Sequence, residues 1–114
     1  MEAKAVEKYL RTSPLKMRRV LDIIKGKNVD EALSILHFSP KRSAEFIEKA
    51  LQSAVNNFFE AYEGKKITVS DLYIKEVRVD GGPMLRRFRP MSMGRVGRIL
   101  RRTSHLTVIV EDKK

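Results

Sequence analysis

Apolar positions recur with helical spacing along the first half of the chain. In "RTSPLKMRRVLDIIKGK", Met17, Val20, Leu21 and Ile24 fall at i, i+3, i+4 and i+7, which lays them along one stripe of a helix. Ser13 stands where an N-cap belongs, and Pro14 suits the first helical position because its missing N–H would be unpaired in any case. Gly26 supplies a left-handed stop. Lys16, Arg18 and Arg19 flank or oppose the stripe and so point to solvent or to a partner. A short second helix follows, with Asn28 and Glu31 at capping-box spacing and Ala32, Leu33, Ile35 and Leu36 as its buried side. Ser39-Pro40 repeats the first helix's start signal. A third helix is predicted from there to about Tyr62, with Gly64 after it. Its Ala44, Ile47, Leu51, Ala54, Phe58 and Tyr62 share one narrow stripe at helical period.

After Gly64 the period shortens. "DLYIKEVRVD" and "HLTVIVED" are short, rich in β-branched and aromatic residues, and bounded by turn or charged residues, so they read as strands. "EAKAVEKYLR" is a weaker third. Helices followed by strands predict an α+β domain, with the helices on one face of a small antiparallel sheet. No internal repeat or low-complexity linker divides the 114 residues, which make one domain with one core.

Residues 81–103 lie between the two clearer strands. If those strands pair, this segment is a hairpin far longer than the usual loop. Folded as two arms of about 10 residues at about 3.3 Å per residue, it would project roughly 30 Å. An isolated two-stranded ribbon is marginal in water, so the arm is expected to need a partner that holds it still.

Charge changes the picture most at this arm. The chain carries a formal +10, yet there is no acid between Asp80 and Glu111, where seven arginines and no lysine stand. The remaining 17 basic residues face 14 acidic ones, leaving the body close to neutral. Such asymmetry favours a polyanionic partner. Arginine is also the informative choice, since its planar guanidinium pairs with phosphate through two hydrogen bonds and stacks on bases. Met84, Leu85, Phe88, Met91, Met93, Val96, Ile99 and Leu100 lie among the arginines, as in segments that pack on sugars or slot between bases. Gly94 and Gly97 allow close backbone approach, and Pro90 restricts the chain near the tip.

Other chemistry is thin. The chain lacks cysteine, which excludes disulfides and thiolate metal sites and fits a reducing, cytosolic setting. The N-terminal stretch is charged throughout and unlike a signal peptide, and no apolar run approaches a membrane span. Two histidines, His37 and His105, do not make a metal site, and His37 reads as a helix-end residue. His105 begins a strand directly after the arginines, where it could position RNA. Ser13, Ser39 and Ser104 have no nucleophile context, and Gly81-Gly82 has no phosphate-loop sequel. No catalytic constellation, metal site or cofactor is expected. Four alternatives stay open at this level. The arm could be a solvated face, a cationic membrane segment, a DNA-bending β-arm or part of a small enzyme acting on RNA.

"RTSPLKMRRVLDIIKGK", "EALSILHFSPKRSAEFIEKALQSAVNN", "LYIKEVRVDGGP" and "GRVGRILRRTSHLTVIV" together resemble the bacterial large-subunit (50S) ribosomal protein twenty-two family. The resemblance runs along essentially the whole chain, and the segment ending in Ser104-His105 and the strand after it is the most diagnostic. It implies three helices against a three-stranded antiparallel sheet with a long protruding β-hairpin. It further implies a non-enzymatic protein that binds large-subunit (23S) rRNA in the cytoplasmic ribosome and assists its assembly. Neighbouring ribosomal proteins are implied partners, and off the ribosome the chain is expected to be a monomer. By matching position, Arg86, Arg87, Arg89, Arg95, Arg98, Arg101 and Arg102 would contact RNA, with His105 beside them. Arg11, Lys16, Arg18, Arg19, Lys25, Lys27, Lys41 and Arg42 would be the body's RNA-facing bases. Pro90, Met91, Ser92, Met93 and Gly94 would form a tip lining the nascent-peptide exit tunnel, a region associated in the family with altered macrolide response. At that tip the sequence departs from the family. Met91 stands where an arginine is usual, Met93 where a basic residue is common, and Arg89 where an apolar residue can occur. Gly97 also replaces what is often a larger residue.

Overall fold

The apolar stripes become the inner faces of the helices. The structure is a computed structural model that describes residues 2–63, 67–83, 85–90, 94 and 96–112. Among these, strand β1 (Glu2–Leu10) precedes helices α1 (Pro14–Ile24), α2 (Val29–His37) and α3 (Arg42–Ala61). A 3-10 turn, Val69–Asp71, leads into β2 (Leu72–Gly81), β3 (Leu85–Pro90), β4 (Val96–Arg101) and β5 (Ser104–Asp112). Met17, Val20, Leu21 and Ile24 are all buried on α1. On α3 the buried set includes Ala44, Ile47, Leu51, Ala54 and Phe58, while Tyr62 packs on Phe58 at a ring separation of 4.9 Å.

Helix ends follow side-chain chemistry, with differences from expectation. Ser13 occupies the N-cap of α1 in extended backbone but makes no side-chain cap bond, so Pro14 at the first turn marks the start. Gly26 has φ +71, the left-handed conformation that favours glycine. Asn28 caps α2 by accepting from the Asp30 amide at 2.9 Å, while Glu31 pairs with Lys27 at 3.6 Å instead of closing a capping box. The third helix begins at Arg42, two residues later than Ser39-Pro40 predicts. There the Ser39 hydroxyl accepts from the Lys41 amide at 3.3 Å, making a local turn ahead of the helix.

The strand order is β1-β5-β2, all antiparallel, so the last strand is central and the weakest sequence signal, β1, holds an edge. Leu106, Val108 and Val110 on β5 meet Val79, Val77 and Ile74 on β2 in register, and all six are buried. A register shift between Ile74 and Glu76 keeps apolar residues on the helix side of both halves of β2. The outer edges of the sheet are partly covered. Arg18 donates to the Val79 carbonyl at 3.2 Å, and the Ile74 amide donates to Lys27 O at 3.1 Å. On the other edge Asn57 donates to Lys4 O at 3.0 Å and Tyr62 to Glu2 O at 3.2 Å. Such contacts blunt edge-to-edge pairing with another chain.

β3 and β4 pair only with each other and form a separate two-stranded ribbon. The radius of gyration is 17.3 Å, against about 13 Å for a compact chain of this length. The long axis measures 66 Å and the next 25 Å.

Candidate nucleic-acid interface

The ribbon follows directly on β2 and β5, an edge strand and the central strand of the body's sheet. β2 pairs with β5 as far as Gly81–Ser104, and pairing resumes at Leu85–Arg101 and runs to Pro90–Val96. Within the ribbon Arg86 lies across from Leu100, Arg87 from Ile99, Phe88 from Arg98, Arg89 from Gly97 and Leu85 from Arg101. No described register pair sets two arginines opposite each other, a juxtaposition that like charges would oppose. Strand alternation puts positions 86, 88, 98 and 100 on one face and positions 85, 87, 89, 97, 99 and 101 on the other. Arginine positions therefore occur on both faces. Arg102, exposed, sits where the returning strand re-enters the body. Of the expected tip, Pro90 ends β3, and Gly94 is exposed with φ +72 and open space where a Cβ would stand. Met91, Ser92, Met93 and Arg95 lie outside the described residues.

The body's expected cations fall into two groups. Arg11, Lys16, Arg19, Lys41 and Arg42 are exposed, and among the described residues none has an ion-pair partner. The others are engaged. Arg18 is spent partly on the β2 edge, Lys25 lies 3.5 Å from Asp22, and Lys27 pairs with Glu31. These exposed pairs are weak and exchangeable, so they lower the local field without removing the cations. The Arg18 bond joins residues 61 positions apart, beyond the reach of local sequence patterns.

His105 sits at the base of the arm, half-buried. Its Nδ1 accepts from the Tyr9 amide at 3.1 Å, and the Tyr9 ring stands edge-on to it with centroids 4.9 Å apart. With Nδ1 accepting, the neutral imidazole carries its proton on Nε2. Tyr9 has φ +59, and its strand shifts register between Glu7 and Leu10. His105 thus stabilises an irregular point in β1, a structural duty that spacing alone does not reveal.

Arg78 marks the contrast between body and arm. It lies 3.9 Å from Glu76 and 3.7 Å from Asp80, so the last arginine before the arm has two carboxylates beside it. Beyond Gly81 the arm has none. Among the described residues no cluster of ligating side chains could hold a metal ion, and no helix is long and apolar enough to cross a membrane.

The family model described as Ribosomal protein L22p/L17e matches residues 5–111. The chain belongs to the ribosomal protein L22p/L17e family. It is 47% identical over 114 residues to the large ribosomal subunit protein uL22 of Halothermothrix orenii, covering 100% of this chain and 98% of that protein. The uL22 of Desulfitobacterium hafniense is 50% identical, covering 99% of this chain and 96% of its own length. That of Syntrophobacter fumaroxidans is 49% identical, covering 99% and 100%. The L22p/L17e family is structural and non-enzymatic, in agreement with the lack of a catalytic constellation in the sequence.

Proposed function

We propose that this chain is a structural constituent of the large ribosomal subunit that binds 23S rRNA, with residues 1–114 acting as one domain and 81–103 as its RNA-binding arm. The observation that carries the reading is the acid-free ribbon, with arginine positions on both of its faces. A surface meant for one side of a duplex needs cations on one face. A ribbon enclosed by folded RNA meets phosphate on both, and a carboxylate on either face would be repelled. Arg86, Arg87, Arg89, Arg95, Arg98, Arg101 and Arg102 neutralise those phosphates. Arg11, Lys16, Arg19, Lys41 and Arg42 extend the contact over the body, and Arg18, Lys25 and Lys27 contribute what their intramolecular partners leave free. His105 acts mainly by holding the arm's base.

On this reading the tip, Pro90 to Gly94, lines the nascent-peptide exit tunnel and meets the growing polypeptide. Neighbouring ribosomal proteins complete the site, the protein works in the cytoplasmic ribosome, and the free protein is a monomer that joins during subunit assembly. The test compares binding to a large-subunit RNA transcript and to random duplex DNA across a salt series. RNA is expected to win at high salt, where non-specific attraction fades. Equal affinity for DNA there would favour a DNA-bending arm instead. A photo-crosslinker at Pro90 is expected to capture stalled nascent chains on ribosomes, and capture of rRNA alone would remove the tunnel assignment.

A further inference from the structure

The junction of arm and body is packed more tightly than a flexible hinge would be. Between the pairs Gly81–Ser104 and Leu85–Arg101 the outgoing chain has one residue more than the returning chain, the signature of a bulge. Pro83 has no N–H to offer a ladder there. The gap is closed by other bonds. The Gly82 amide donates to Thr103 O at 2.9 Å, and the Thr103 hydroxyl donates to Pro83 O at 2.6 Å. One residue on, the Ser104 hydroxyl donates to Thr12 O at 2.6 Å, tying the returning strand to the body. Thr103 and Ser104 are both buried, which makes unpaired hydroxyls there costly.

Gly82 stands in the centre of this arrangement. Its backbone is outside the left-handed region, so conformation does not call for glycine; space does. A Cβ at position 82 would lie 2.5 Å from Thr103 Oγ1 and 3.2 Å from His105 Cε1 and Nε2. Neither neighbour can withdraw freely. Thr103 would give up its bond to Pro83 O, and His105 is held by the Tyr9 amide and by the edge-on Tyr9 ring.

We propose that Gly82, Thr103, His105 and Tyr9 form a joint that fixes the bearing of the arm on the body before RNA is bound, with Gly82 as its positioning residue. The value of such a joint rests on the RNA-binding reading above. A ribbon already aligned loses less freedom when it enters folded RNA, which favours both affinity and correct entry.

The chain contains no cysteine, so two can be introduced for spin labels without background. Lys49→Cys on the exposed side of α3 and Arg89→Cys on β3 report the arm's bearing in the free protein. A six-residue strand reaches about 20 Å, so a 15° change at the joint moves its end by about 5 Å. The doubly labelled protein is expected to give one narrow distance distribution. Gly82→Ala is expected to shift or broaden it by about that amount, while the thermal midpoint of the body stays close to wild type. In a Thr103→Ala background, which lacks the obstructing oxygen, Gly82→Ala is expected to add little. Thr103→Val keeps the bulk but loses the bond to Pro83 O, and it decides the matter if Gly82→Ala does not fold. A distribution left unchanged by both Gly82→Ala and Thr103→Val would overturn the proposal. So would a wild-type distribution as broad as that of a variant with two glycines inserted after Gly82. No RNA is present in these measurements, so their failure is separate from any failure of RNA binding.

Discussion

The body and the arm use the same amino acids to opposite ends. In the body an apolar residue is there to be buried. Met17, Ile24, Phe58 and Val108 have no measurable exposure, and charged residues outside the core commonly sit beside an opposite charge. In the arm apolar and cationic residues alternate across the ribbon, which pairs only within itself and contains no acid. The hydrophobic effect therefore specifies the body's structure, while on the proposed function electrostatics selects the arm's partner. Arg78 and Arg98 make the difference concrete. Arg78 lies between Glu76 and Asp80 on a body strand, whereas Arg98 faces Phe88 across a ribbon without carboxylates. On the proposed function, one is an ordinary surface residue and the other belongs to the RNA-binding arm.

Breaking the body should not imitate breaking the arm. Phe58→Ala, at the centre of α3's buried face, is expected to cost about 3–5 kcal/mol of stability, read by urea unfolding. The salt dependence of RNA binding measured on the remaining folded protein should not change. Next in size, His105→Ala removes the acceptor for the Tyr9 amide and is expected to cost about 0.5–1.5 kcal/mol by the same method. A loss of RNA affinity without any loss of stability would instead make His105 a direct RNA contact.

The arm should answer in the opposite sense. Arg98→Ala is expected to leave the unfolding midpoint within experimental error. It should also lower the slope of log K against log salt by about 1, as loss of one phosphate contact does. Arg78→Ala, with carboxylates already beside it, should change that slope far less. Equal slopes for the two variants would erase the distinction between body and arm.

The smallest effect belongs to the exposed pair of Glu2 and Lys75. Their hydrogen bond, and then their mutual charge, holds the Glu2 carboxyl below its ordinary 4.5 and the Lys75 ammonium above 10.5. A depressed carboxylate stabilises the fold above its unfolded value and loses that contribution as pH falls through the folded one. A raised ammonium stabilises below its unfolded value and loses it as pH rises. Glu2→Gln is therefore expected to lower the urea midpoint slightly between those limits, with the difference vanishing in strong acid. A difference that persisted in acid would mean that packing, not charge, is at work.

Much of this architecture is legible in the sequence because periodicity reports burial directly. The α1 stripe is buried throughout, and so is the α3 stripe apart from its last member, Tyr62. What could not be read depends on contacts distant in the chain. Asn28 donates to Ser70 O, Arg18 reaches Val79, and His105 serves Tyr9 across 96 positions. The start of α3 was misleading for a local reason, since Ser39 closes a turn with Lys41 in place of capping a helix. The capping box of Thr68 and Asp71 had a readable spacing within "TVSD" and could have been found. For the candidate site, the absence of acid from the arm is visible in the sequence, but register is not. Only pairing shows that arginine positions occur on both faces and that Gly82 fills a space closed to any side chain.

The most direct test of the central claim is the salt dependence of binding to a large-subunit RNA transcript, for the intact chain and for a deletion of residues 84–102. With about five to seven phosphate contacts in the arm, the deletion should flatten the slope of log K against log salt by about four to six. The body should stay folded by circular dichroism. An unchanged slope, with the deletion binding as tightly as the intact chain, would contradict the account, because the arginines would then not be the binding surface.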